Sequence, residues 1–162
     1  MSDSSSRSFS HLDDRGRAAM VDVSAKPVTR RVAEASCRFV CSPVTISRLH
    51  DLPKGDAVAV ARVAGIQAAK RTADWIPLAH PLTLDEIAVD LERRPDHVLV
   101  RSRVVVTART GAEMEALVAC SAAALALYDM VKAIDRSASV TDLRLEAKSG
   151  GASGDYARGE RG

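Results

Sequence analysis

Residues 32–41 (VAEASCRFVC) alternate, placing Ala33, Ala35, Cys37, Phe39 and Cys41 on one side and mostly polar groups on the other. That period of two predicts a half-buried strand. Ser42 and Pro43 form a suitable N-cap and first helical residue, predicting a short helix to about His50. DLPKGD then breaks the chain, and Asp56 can cap a second helix running from Ala57 to about Trp75. Pro77 and Pro81 enclose the stiff segment IPLAHPL. Ile87, Val89 and Leu91 share one face of LDEIAVDL, and VLVRSRVVV follows after the turn RRPDH, which reads as a β-hairpin. Thr110 and Glu113 have the spacing of a capping box ahead of a helix from Ala112 to about Asp135, a stretch without glycine or proline. Leu143, Leu145 and Ala147 alternate in a last strand.

This order, βα(α)ββαβ, predicts a ferredoxin-like α+β fold, an antiparallel sheet with helices packed on one face. Residues 21–156 read as a single domain, flanked by a flexible serine-rich tail (1–20) and a short flexible tail (157–162) within a closing stretch rich in glycine and charge. The helix carrying Leu117 to Leu127 is apolar around nearly its whole circumference, although packing on one sheet needs only one apolar stripe. With no second domain to cover its other side, a partner subunit is expected there.

Composition narrows the function. The 162 residues are 46% hydrophobic but only 3% aromatic, so alanine and aliphatic side chains must build the core. Its 23 basic and 21 acidic residues are interspersed, so any anionic partner must be held locally rather than by a broad field. Cys37, Cys41 and Cys120 lack metal-ligand spacing and are odd in number, which predicts neither a disulfide framework nor a metal site. The opening residues lack the order of a secretory leader, and Leu117 to Tyr128 is too short to span a bilayer. A cytoplasmic protein that binds no membrane is expected.

Several residues could carry chemistry. Asp129 and Lys132, three apart on the long helix, lie ~60° from each other and form either an exposed ion pair or a reactive pair. Glu115 precedes Asp129 by fourteen residues, nearly the same face but ~21 Å along the axis, so within one subunit a small substrate does not easily touch both, whereas a long substrate or a site assembled across subunits could. His80, between two prolines, is either a core histidine or a fixed ligand and proton-transfer group. Lys54 is a solvated loop lysine or a functional one. Lys70 and Arg71 near a helix end either cap it or bind phosphate. AKSGGASGD, with Lys148, is a flexible loop or an anion nest, and lacks the P-loop pattern.

Together the strings MVDVSAK (20–26), KGD (54–56), AGIQAAKRT (64–72), IPLAHPL (76–82), GAEMEAL (111–117), YDMVKA (128–133) and AKSGGASGD (147–155) closely resemble the molybdenum cofactor biosynthesis protein C family. The resemblance covers nearly everything from Met20 to Asp155. Ala79 stands where the family commonly has cysteine, and Ala112 where it has valine. The resemblance implies a cyclic pyranopterin monophosphate synthase that converts 3′,8-cyclised dihydro-GTP to cyclic pyranopterin monophosphate and releases diphosphate. That change is non-redox and needs proton transfers, so no cofactor is implied. By motif position, Asp129 and Lys132 are similar to a catalytic pair, with Lys54 a further acid/base or charge-stabilising group. Leu78, Ala79, His80, Met114 and Glu115 resemble substrate contacts, and Lys26, Arg31, Lys70 and Lys148 resemble ligands of the triphosphate. The family resemblance also implies a homohexamer, a trimer of dimers with sites between subunits.

Two other classes use the same fold. A non-catalytic nucleotide-binding regulator would not need Lys54, Asp129 and Lys132 in these motifs. An RNA-binding module would need aromatic residues on the sheet, where only Phe39 is available, so nucleic acid is not an expected partner.

Overall fold

The computed structural model describes residues 15–159. Residues 1–14 and 160–162, most of the two expected tails, lie outside the described residues. The elements are β1 (Thr29–Val40), α1 (Pro43–Ser47), α2 (Ala57–Ala69), α3 (Thr72–Trp75), β2 (Glu86–Arg93), β3 (His97–Ala108), α4 (Glu113–Val131), β4 (Ser139–Ser149) and β5 (Tyr156–Ala157). One antiparallel sheet runs β2-β3-β1-β4-β5. Its first four strands have the ferredoxin-like order, with β1 in the middle and each βαβ crossover covered by a helix.

β1 pairs with β3 without interruption from Thr29↔Ala108 to Val40↔His97. Ala33, Ala35, Cys37 and Phe39 therefore share a face with Val98, Val100, Val104 and Val106, all buried beneath α2 and α4. Fully burying a valine or phenylalanine side chain stabilises by ~1.5 to 3 kcal/mol. The opposite face is polar, with Arg101 bonded to Glu92 at 2.8 Å and Arg103 flanked by Glu86 and Glu34.

Small residues bring the two long helices together. A Cβ on Gly65 of α2 would stand 2.8 Å from the Ala119 carbonyl oxygen of α4 and 3.3 Å from the Ala123 methyl. Gly65→Val should overpack this crossing and cost ~1 to 3 kcal/mol. Urea unfolding checks this, and an unchanged midpoint would mean the helices part freely.

The caps at Ser42 and Asp56 form as their residue types demand. Ser42 Oγ accepts from the Thr45 N–H, and Asp56 from those of Val58 and Ala59. Other boundaries differ from expectation. The helix from Ala57 does not continue to Trp75: the Thr72 hydroxyl bonds the Ala69 carbonyl and the Arg71 N–H turns back to Ala68, so α3 starts afresh. The Thr110–Glu113 capping box does not form, because Ala112 occupies the N-cap and no side chain caps α4. At its other end α4 stops at Val131. Asp135 beyond it receives the Ser42 N–H and the Thr45 and Ser137 hydroxyls, which hold its carboxyl down at about 2.

In β4 the expected alternation is weak, and Val140 and Leu143 are exposed. β5 is a further strand that the sequence pattern does not signal. By length and composition alone the 19-residue α4 could cross a membrane, but 56% of that window is buried inside this fold. Its outward strip is apolar, with Leu125 at 55% exposure and Met114 at 37%.

Candidate functional site

Two polar clusters lie at opposite ends of α4. The first is built where its last turn meets the loop between α1 and α2. That loop is closed by the Gly55 N–H to the Leu52 carbonyl, with Gly55 in the left-handed region at φ 103°, a conformation favouring glycine. His50 Nδ1 lies 3.0 Å from Asp56 Oδ2, tying the ends of the loop together. Lys54 is thereby aimed at α4, where its Nζ donates to the Asp129 carbonyl at 2.9 Å and to Oδ2 at 3.3 Å. Lys132 Nζ lies 2.8 Å from Asp129 Oδ1.

Asp129 thus sits between two ammonium groups. Lys132, then Lys54, holds its carboxyl below the usual range, while Asp129 raises the ammonium of Lys132. The cluster is therefore a carboxylate between two lysines, with Lys132 holding its proton more tightly than a free lysine. All three side chains are about half exposed, so water screens their attraction.

The second cluster is a cleft of about 440 Å³ at the start of α4. Leu78, Ala79 and His80 from the proline-bounded segment form one wall. Met114 and Glu115 form another, and Lys26 and Arg31 complete the rim. Arg31 donates to the Arg109 carbonyl at 2.9 Å, and Arg109 donates to the Lys26 carbonyl at 3.2 Å. This reciprocal clasp fastens the segment before β1 to the end of β3. A Cβ on Gly151 would press on the flexible end of Arg31, and its φ of 84° is a conformation that favours glycine.

Glu115 is only 4% exposed, and burial, with the charge of Glu113 adding to it, pushes its carboxyl up to about 7. Lys148 reaches the cleft wall from β4, donating to Glu113 Oε1 at 3.1 Å and to Ser153 Oγ at 3.0 Å. In the AKSGGASGD loop the Gly150 N–H is already bonded by Asp155.

The structure brings Lys54, Asp129 and Lys132 into one cluster. It gathers Lys26, Arg31, Leu78, Ala79, His80, Met114 and Glu115 around the cleft, with Lys148 beside it. Lys70 joins neither group, standing exposed as the C-cap of α2. Arg109, Gly111, Val21, Val23 and Ser153 also line the cleft and were not singled out by sequence reasoning. Val21, Val23, Gly111 and Ser153 fall inside the motif strings, which was the available signal. For Arg109 there was none. Among the described residues no group of three or more histidine, cysteine or acidic side chains could hold a metal ion.

The site is thus a lysine–carboxylate cluster and a cation-rimmed cleft carried by a small α+β fold. Residues 20–151 match the MoaC family. The chain is 55% identical over 152 residues to the cyclic pyranopterin monophosphate synthase of Streptomyces griseus, covering 93% of this chain and 86% of that protein. It is 53% identical to the synthase of the same name from a Nocardioides species, covering 98% and 99%. The corresponding figures for the Herpetosiphon aurantiacus synthase are 52%, 91% and 93%. The chain belongs to the MoaC family.

Proposed function

We propose that the chain is a cyclic pyranopterin monophosphate synthase of molybdenum cofactor biosynthesis. It takes 3′,8-cyclised dihydro-GTP and releases diphosphate by acid/base catalysis. The observation that carries this reading is the convergence of Lys54 and Lys132 on Asp129, since the rearrangement needs proton donors and a fixed charge rather than an electron carrier. Lys132 acts first as an acid, because Asp129 favours its ammonium form. Lys54 stabilises negative charge beside it. Leu78, Ala79, His80, Met114 and Glu115 hold the ring system, and Lys26, Arg31 and Lys148 hold the phosphates. Lys70, exposed at the end of α2, lies outside this chain's own cleft and would reach the phosphates in a site shared between copies. Formation of the pyranopterin product from the cyclised nucleotide by purified protein tests it, and absence of turnover with bound substrate would favour a nucleotide-binding regulator.

The two clusters flank one ligand only when copies of the chain meet. The outward strip of α4 at Met114 and Leu125, and the uncovered Val140 and Leu143 of β4, support a homo-oligomer, a hexamer made as a trimer of dimers. Sedimentation at micromolar concentration should give the hexamer, and a stable active monomer would refute sharing. The buried, unpaired thiols of Cys37, Cys41 and Cys120 support a cytoplasmic, reducing location.

Lys148→Ala should raise KM about tenfold or more with kcat little changed, because it removes charge from the phosphate end rather than from the reacting rings. A collapsed kcat at unchanged KM would place Lys148 in the chemistry instead.

A further inference from the structure

Glu113 has the position of a capping residue and does not cap. Its carboxylate is folded back over Gly111, where a Cβ would meet it before anything else. There it meets Lys148, which comes from a strand 35 residues later. Both side chains are largely withdrawn from water, at 25% and 31% exposure.

The other cleft cations are engaged differently. Arg31 and Arg109 donate to backbone carbonyls, which orient a guanidinium without neutralising it. Lys148 has a partner that carries a full charge. It also has a neutral one, Ser153, which would keep the ammonium in place if the carboxylate left.

We propose that Glu113 is an internal counter-ion that holds Lys148 in the empty cleft and is exchanged for the phosphates of an incoming polyphosphate ligand. It thereby sets how much negative charge a ligand must bring, and it retakes Lys148 as diphosphate departs. This rests on the reading that Lys148 faces the phosphate end of the substrate.

The exchange is physically economical. Stripping water from a lone ammonium is costly, whereas replacing one anion by another on an already half-dried lysine leaves the charge paired throughout. A ligand with a single charge gains little over Glu113, and one with a polyphosphate gains more. Glu113 thereby opposes weakly charged competitors, which sharpens specificity for polyphosphates. Glu115, two residues along, cannot easily take over the role, since burial pushes it up to about 7.

Inorganic triphosphate and inorganic diphosphate are suitable probes, because their binding can be followed by calorimetry without turnover. Glu113→Gln keeps the shape and removes the charge, and should tighten triphosphate binding ~10-fold, as close charge pairs at interfaces commonly couple. The gain should vanish in a Lys148→Ala background. Gly111→Ala presses first on the flexible end of Glu113 and should shift affinity in the same direction, which keeps the test open if the first variant folds poorly. Unchanged or weakened binding in Glu113→Gln would overturn the counter-ion role. So would an equal gain in the Lys148→Ala background, which would mark a general charge effect. If Lys148→Ala alone leaves triphosphate affinity untouched, the fault lies with the reading of Lys148 as a phosphate ligand.

Discussion

Lys132→Ala should lower kcat by ~10² to 10⁴, the range for loss of a positioned proton-transfer group, with the melting temperature almost unmoved. The separation of the two effects follows from the geometry. Lys132 touches Asp129 at the surface, and exposed ion pairs contribute little to stability. Asp129→Asn should also impair turnover without unfolding the protein, because it leaves Lys54 and Lys132 facing each other without the intervening charge and removes what favours the ammonium of Lys132. Rates of pyranopterin formation and melting curves for both variants decide the matter. Near-normal turnover in either would remove that residue from the chemistry.

Stability should fall as pH rises from about 4.5 to about 7, by ~3 kcal/mol at full extent through Glu115 alone. Its carboxyl titrates higher in the folded chain than in the unfolded one, so over this window the folded state binds the extra proton. Below the window both states are protonated and Glu115 has no effect. Above it, folding must bury a carboxylate that is only 4% exposed. Glu115→Gln should flatten this part of the pH–stability profile. Denaturant midpoints between pH 4 and 8 provide the comparison, and parallel curves for the parent and variant would show that Glu115 titrates alike in the folded and unfolded chain.

What was legible in the sequence was local. The alternation of β1, the hairpin of β2 and β3, and the caps at Ser42 and Asp56 depend on neighbouring residues, and the structure has them. The break before α3 hangs on a choice by the Thr72 hydroxyl that no periodicity encodes. Glu113 matched a capping pattern but is claimed by Lys148 from across the fold, a long-range contact outweighing a short-range one. β5 is two residues long and leaves no pattern. In the site, Asp129 and Lys132 were legible as an i,i+3 pair, whereas Lys54 joins them across 75 residues. Its candidacy came from motif resemblance.

Glu115 and Asp129 ride on one continuous helix, a spacer of ~21 Å that a small substrate does not easily span within one chain. On the shared-site reading each chain lends its cleft to one neighbour-completed site and its lysine–carboxylate cluster to another. Two inactive proteins, one altered at Lys132 and one at Glu115, then carry their defects in different halves. Unfolded together and refolded as an equal mixture, half of the dimers are hybrid, and each hybrid holds one site with both defects and one with neither. About a quarter of the parent activity should return from two preparations that have none, as symmetry of a two-fold interface requires. For a site contained within one chain, mixing would restore nothing.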